Sequence, residues 1–188
     1  MNIFPQILTC LRVVIVTMLI CSGLYSLTIL VVGQALMPAS ANGSIIHGEH
    51  GEAVGSELIA QSFARPKYLW PRPSAVDYDA AATGGSNLSP AGEALRQRVE
   101  ESIQRFNEAN QPVIPADLVM ASGSGLDPHI TEQAALFQAD RIAEARGLDR
   151  AVIENVIQSH AFRPGWALTD EPLVNILQIN IDLDKTNR

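Results

Sequence analysis

The chain has 188 residues, a formal net charge of −7 and only 13 lysines and arginines. Apart from a greasy N-terminal stretch, that is the length of one ordinary domain, large enough to bury a core without disulfides or a structural metal. Cations this few, and in no run, exclude nucleic acid as a partner, and the scarce aromatic residues offer no base-stacking platform.

From Val13 to Val32 the sequence reads VVIVTMLICSGLYSLTILVV, without a charge. About 20 apolar residues cross the hydrocarbon core of a bilayer, where the backbone must satisfy its own polar groups. A transmembrane helix is therefore expected over 13–36. Thr17, Ser22, Gly23 and Ser26 are small positions at which another helix can approach. A cleaved signal peptide is the alternative, with Ala39-Ser40-Ala41 as its processing site and a secreted binding module as its product. Its apolar region would run about 7–15 residues, shorter than this one. Cys10 and Cys21 would stand roughly 16 Å apart along a helix, too far for a disulfide. Arg12 precedes the apolar run, and no Lys or Arg follows it until Arg65. By the positive-inside rule residues 1–12 are cytoplasmic and the domain lies outside.

Residues 37–56 read as a linker, rich in Gly, Ser, Ala and His between Pro38 and Glu52. His47 and His50 have no further ligands nearby and read as solvated surface rather than a metal site. The soluble domain is expected over 57–188. Pro66, Pro71 and Pro73 keep its first part extended. Gly84-Gly85-Ser86-Asn87 reads as a turn. Ser89 as N-cap and Pro90 at the first helical position start a predicted helix over 89–108, with Leu95, Val99, Ile103 and Phe106 at helical spacing. Pro112 and Pro115 follow as breakers. A second helix is expected from Thr131 as N-cap to Arg146, stopped by Gly147. Asp149 caps a third, whose face carries Val152, Ile153, Val156, Ile157 and a hydrogen-bonded structural His160. Beyond Pro172, the alternation over Leu173–Leu183 favours a strand, although its length also permits a short helix. The soluble part is thus a small mixed unit, and the chain is α+β.

Chemistry is sparse. Ser122-Gly123-Ser124-Gly125-Leu126-Asp127-Pro128-His129 gathers hydroxyls, a carboxylate and an imidazole within eight positions. It lacks the Gly-x-Ser-x-Gly elbow, and triad members normally come from distant segments, so a structural loop is the better reading. No Gly-x-x-x-x-Gly-Lys-Ser/Thr phosphate loop occurs. Asp184-Lys185-Thr186-Asn187 is similar to the phosphorylated aspartate motif of P-type ATPases but lacks the Gly-Thr that follows it. No catalytic residue and no metal site is assigned.

Several blocks taken together carry a resemblance. They are the apolar anchor, Arg72-Pro73-Ser74-Ala75 with Tyr78-Asp79, Gly84-Gly85-Ser86-Asn87-Leu88, Val113-Ile114-Pro115-Ala116-Asp117-Leu118-Val119, Ala121 through Ile130, and Glu171-Pro172 before Val174-Asn175-Ile176-Leu177 and Asn180. In that order, along nearly the whole chain, they resemble the C subunit of the Kdp potassium-transporting P-type ATPases, the KdpC family. Departures at Leu69-Trp70-Pro71, Thr83 and Ala91-Gly92-Glu93 fall in expected loops.

The resemblance implies a non-catalytic accessory subunit of a high-affinity, ATP-driven potassium import complex in the inner membrane, needed for assembly and activity. Implied partners are a potassium-channel-like subunit, a P-type ATPase subunit, a small membrane subunit and membrane lipid. No intrinsic cofactor is implied. ATP enters through the complex, because the family is described as a catalytic chaperone promoting ATP binding by the ATPase subunit. With the domain outside the cytoplasm, that influence would be conformational coupling. Residues Ser122 to His129 correspond to the family's signature loop and are the expected partner contact, with Arg141 and Arg146 as candidate partners of the loop. Arg72, Pro73, Ser74, Tyr78, Asp79, Gly84, Gly85, Ser86 and Asn87 form a secondary motif. The rival reading is a membrane-anchored extracytoplasmic serine hydrolase using Ser122 or Ser124 with His129.

Overall fold

The structure is a computed structural model that describes residues 3–48, 50–106, 113–165 and 171–186. It divides into two compact units, Met1–Ile45 and Ile46–Arg188.

The first unit is one long apolar helix, Ile3–Leu36, followed by a short turn of helix. Its parts are α1 (Ile3–Met18), a π turn (Leu19–Leu24) and α2 (Tyr25–Leu36). In the π turn the Tyr25 N–H reaches back five residues to the Ile20 carbonyl, which widens the helix by one residue beside Ser22 and Gly23. No side chain of α1 or α2 is buried within the unit. Apolar side chains exposed all round suit lipid, not water. At 1.5 Å per residue the helix measures roughly 51 Å, more than the roughly 30 Å of a bilayer's hydrocarbon core. It ends at Met37, ahead of Pro38, and α3 (Pro38–Ala41) follows. The amides of Gln34 and Asn42 bond reciprocally across that turn, each at 3.1 Å.

The second unit is a mixed domain. It opens with a hairpin of β1 (Ile45–His47) and β2 (Ala53–Ser56). A long extended stretch then leads to α4 (Glu93–Phe106) and α5 (Ala116–Val119). Ser89 does not cap α4 directly: its carbonyl accepts the Gly92 N–H in a separate turn, and the helix starts at Glu93. The expected end of this helix, Asn107–Glu108, lies outside the described residues.

Strand β3 (His129–Thr131) leads into α6 (Glu132–Phe137) and α7 (Ala139–Arg146). Thr131 accepts the Ala134 N–H as N-cap, and Gly147 closes α7 at φ +66°. The single helix expected over this stretch is broken at Gln138, which sits in a tighter turn bonded back to Ala135. Asp149 caps α8 (Arg150–Ser159), and the imidazole of His160 bonds the Asp182 carboxylate at 2.7 Å.

Strand β4 (Leu173–Asn175) pairs antiparallel with β3, Ile130 opposite Val174. The strand favoured from Leu173 to Leu183 is a strand for three residues only, and α9 (Ile176–Thr186) continues the chain. The buried set of α9 is Ile176, Leu177, Ile179, Asn180 and Leu183, one face at helical spacing.

The core lies between α6–α9 and the strand pair, around fully buried Leu69, Leu118, Ile130, Ile142, Ile153, Ile157, Val174, Ile179 and Leu183. Leu69 enters it from the extended stretch, where the neighbours that a strand would supply are replaced by side-chain amides. Asn180 accepts from the Leu69 N–H at 2.8 Å and donates to its carbonyl at 3.1 Å. Gln138 does the same for Trp70, at 2.9 and 3.2 Å. Both amides are buried, so two peptide groups taken out of water are satisfied without a sheet.

Candidate functional site

The two sequence blocks 72–87 and 122–129, separated by 34 residues, form one surface in the second unit. Gly84 donates to the Ser124 carbonyl at 2.9 Å, and Ser122 donates to the Pro73 carbonyl at 3.3 Å. Thr83 Oγ1 adds a second donor to Ser124. Glycine is required where the loops touch. A Cβ on Gly85 would stand 3.2 Å from the Gly123 carbonyl oxygen. Gly125 has φ +71°, and a Cβ there would meet Val76 at 2.6 Å and the Gly84 carbonyl at 3.0 Å. Any larger residue would push the loops apart.

Ser74 is the knot of the first block. Its hydroxyl donates to the Gly125 carbonyl at 2.7 Å and accepts the N–H groups of Val76 and Tyr78. Its carbonyl accepts Arg98 from α4. Asp77 and Tyr78 both take positive φ, a strained pair held by those bonds. The Tyr78 hydroxyl donates to the Arg72 carbonyl at 2.8 Å. Burial raises its pKa, against the pull of Arg105 and Arg98, so it remains a donor. Asp79 caps the following turn through the Ala81 N–H. Ser86 and Asn87 follow the glycines, Asn87 at φ +50°.

In the second block Ser124 Oγ accepts the Leu126 N–H at 3.1 Å, and the Leu126 carbonyl takes the Ala60 N–H. The Pro128 carbonyl accepts from Ile176 at the start of α9. Asp127 sits at the centre of the charges. One oxygen accepts the His129 N–H at 3.0 Å and lies 3.5 Å from His129 Nδ1; the other lies 3.3 Å from Arg72 Nη1. Arg72 also approaches Asp117 at 3.9 Å, whose other oxygen accepts the Thr131 N–H and so joins this network to the α6 N-terminus. Burial raises the Asp127 pKa, but the hydrogen bonds from His129 and the charge of Arg72 outweigh it and hold the carboxyl below its usual range. The Nε of Arg72 is buried without a hydrogen-bond partner.

The loop's cation is therefore Arg72, and the expectation for Arg141 and Arg146 is corrected. Both hold the extended stretch instead. Arg141 donates to the carbonyls of Pro66 and Tyr68 and to Gln138. Arg146, its side chain fully buried, donates to the carbonyls of Lys67 and Leu183 and to the Asp184 carboxylate. Carbonyls at a helix end and in an extended segment lack backbone donors, and a guanidinium with five N–H groups serves several at once.

As chemistry, the surface is a frame of backbone bonds around one ion-paired carboxylate. Ser122 is buried, and Ser124 spends its oxygen on a backbone N–H. His129 bonds neither hydroxyl; its ring faces Asp127 on one side and lies edge-on to Phe162 at 5.4 Å on another. A nucleophile needs a base within hydrogen-bond reach, and neither serine has one. Among the described residues no group of three or more His, Cys, Asp or Glu side chains is placed to hold a metal ion. The amides of Gln138 and Asn180 and the role of Arg72 are what sequence reasoning missed. The resemblance block did include Asn180, but nothing in the spacing pointed to a backbone partner 111 positions away.

Comparison with known proteins agrees with the resemblance. A family model described as the c chain of K+-transporting ATPases matches residues 7–185. A potassium-transporting ATPase KdpC subunit of Parvibaculum lavamentivorans is 49% identical over 175 residues, covering 93% of this chain and 94% of its own. Another, from Shewanella putrefaciens, is 43% identical and covers 93% and 89%. A KdpC subunit from a Nostoc species is 41% identical across 100% of this chain and 98% of its own. With a match that runs from the apolar helix to the end of α9, this chain belongs to the KdpC family, the c chains of K+-transporting ATPases.

Proposed function

We propose that the chain is a non-catalytic, membrane-anchored accessory subunit of an ATP-driven potassium import complex, needed for its assembly and activity. The observation that carries this reading is the near full-length match to relatives named as subunits of that ATPase. The apolar helix Ile3–Leu36 is its anchor, crossing the inner membrane once, with residues 1–12 in the cytoplasm, the span over 13–36, a connecting stretch over 37–56 and the domain over 57–188 outside. The position of Arg12 supports that direction.

The double-loop surface of Ser74, Gly84, Gly85, Gly123, Gly125 and Asp127 is the contact for a partner, the channel-like subunit first. Its support is rigidity without chemistry: two glycine loops locked by backbone bonds present a fixed shape and offer no nucleophile with a base. The P-type ATPase subunit, the small membrane subunit and surrounding lipid complete the assembly. The chain holds no cofactor of its own, and any gain in ATP affinity by the ATPase subunit is a coupling between distant sites.

The test is purification of the tagged chain in mild detergent from potassium-starved cells. Recovery of a P-type ATPase and a channel-like subunit, with potassium-stimulated ATP hydrolysis, is the expected result. Recovery of the intact chain alone would overturn the reading.

A further inference from the structure

Away from the double loop, the second unit carries a cavity of about 440 Å³ between α4, α7 and the extended stretch, walled by Trp70, Arg105, Phe106, Phe137, Arg141 and Ala145. That volume falls within the roughly 300–1,000 Å³ of small-ligand sites, and a wall of aromatic rings with a few convergent polar groups is their usual make-up. Trp70, Phe106 and Phe137 form a tilted aromatic row, with centroids 5.4 and 6.0 Å apart.

Two cations converge on that row. The Arg105 guanidinium lies 4.0 Å and the Arg141 guanidinium 3.7 Å from the centroid of the Trp70 ring. Among the described residues neither makes an ion pair with a carboxylate. Arg141 donates to two carbonyls and an amide oxygen, and Arg105 to the Phe63 carbonyl. That uses four of the ten N–H donors that two guanidiniums carry. Burial lowers the Arg141 pKa to about 10, and the charge of Arg105 adds to the effect. Asp140, on the wall, is engaged by Arg150 at 2.6 Å. Two neighbouring cations with donors to spare and, among the described residues, no directly paired carboxylate are costly in a partly dry site unless an anion joins them.

We propose that this cavity binds a small organic monoanion, a carboxylate on a flat apolar body. The carboxylate takes the spare donors of Arg105 and Arg141, and the body lies against Phe106 and Phe137. Glu144 on the same wall repels a second negative charge, which selects against polyanions. The proposal is independent of the potassium-subunit reading, since it rests on none of the double-loop residues.

The probe is benzoate, titrated into the full chain in non-ionic detergent and followed by tryptophan emission in a Trp166→Phe background. A saturable response is expected, with benzyl alcohol about tenfold weaker because it lacks the charge that makes the guanidinium bonds strong. Inorganic phosphate should compete poorly. Arg105→Gln should weaken benzoate about tenfold. Ala145→Phe, at an exposed wall position and leaving every charge in place, should abolish the response by filling the cavity. Both variants should keep the circular dichroism of the parent, since the carbonyl bonds of Arg141 remain. No saturable response, or one unchanged in both variants, would overturn the proposal. So would binding lost when the chain is in its complex, which would assign the cavity to a carboxylate of a partner subunit.

Discussion

At the scale of single residues, the site rests on polar side chains that serve as structure. Asp127 gathers the His129 N–H and Arg72, so Asp127→Asn should cost about 1–3 kcal/mol at neutral pH by removing the nearer of the two anions beside a half-buried guanidinium, with Asp117 left at 3.9 Å. The Asp127 pKa is held below the ordinary carboxylate value. A depressed pKa stabilises above the unfolded value of about 4, and the effect is lost as pH falls through the folded one. The gap between wild type and Asp127→Asn in denaturant titrations should therefore be full at pH 7 and shrink below about pH 4. A gap independent of pH would contradict the ion-pair account. Asn180→Leu is isosteric in outline but strips both partners from the buried Leu69 peptide. It should destabilise by about 2–5 kcal/mol, as two unsatisfied buried groups do. The sequence named the residues around Asp127 but assigned their cation to Arg141 and Arg146 on α7, not to Arg72. Guanidinium partners depend on which carbonyls the fold leaves bare, and no spacing rule encodes that.

At the scale of elements, local signals worked where a cap or a period decides the structure. Thr131, Gly147 and Asp149 were legible as a cap, a stop and a cap. Asp149→Ala should cost about 1 kcal/mol through loss of the bond to the Ala151 N–H, measured as a lower midpoint in thermal unfolding. An unchanged midpoint would mean that packing of Ile153 and Ile157 alone holds α8. The C-terminal element was less legible, because Leu177, Ile179, Ile181 and Leu183 alternate with the polar Gln178, Asn180 and Asp182 and mimic a strand. The deciding residue is Asn180: counted as polar it supports alternation, but it is buried and completes a helical face with Ile176 and Leu183. A buried amide with a backbone partner behaves as a core residue, and hydropathy patterns cannot register this. The break at Gln138 has the same origin, since its side chain turns inward to hold Trp70.

At the scale of the molecule, the N-terminal helix was the plainest reading, since its apolar length admits few alternatives. That blocks 72–87 and 122–129 meet was not legible from spacing; only the order of blocks along the chain hinted that they belong together. What joins them is close backbone approach at Gly85 and Gly125, where any side chain would intrude. This joined surface is the proposed contact through which the rest of the transport complex would be recruited. Its most direct test is the amount of P-type ATPase and channel-like subunit recovered with tagged wild type, Gly125→Val and Arg150→Gln chains from the same membranes. Gly125→Val should stay in the membrane yet lose at least about nine-tenths of its partners, a loss of roughly 1.4 kcal/mol or more, while Arg150→Gln, on α8, should keep them. Full recovery of both partners with Gly125→Val would contradict the account.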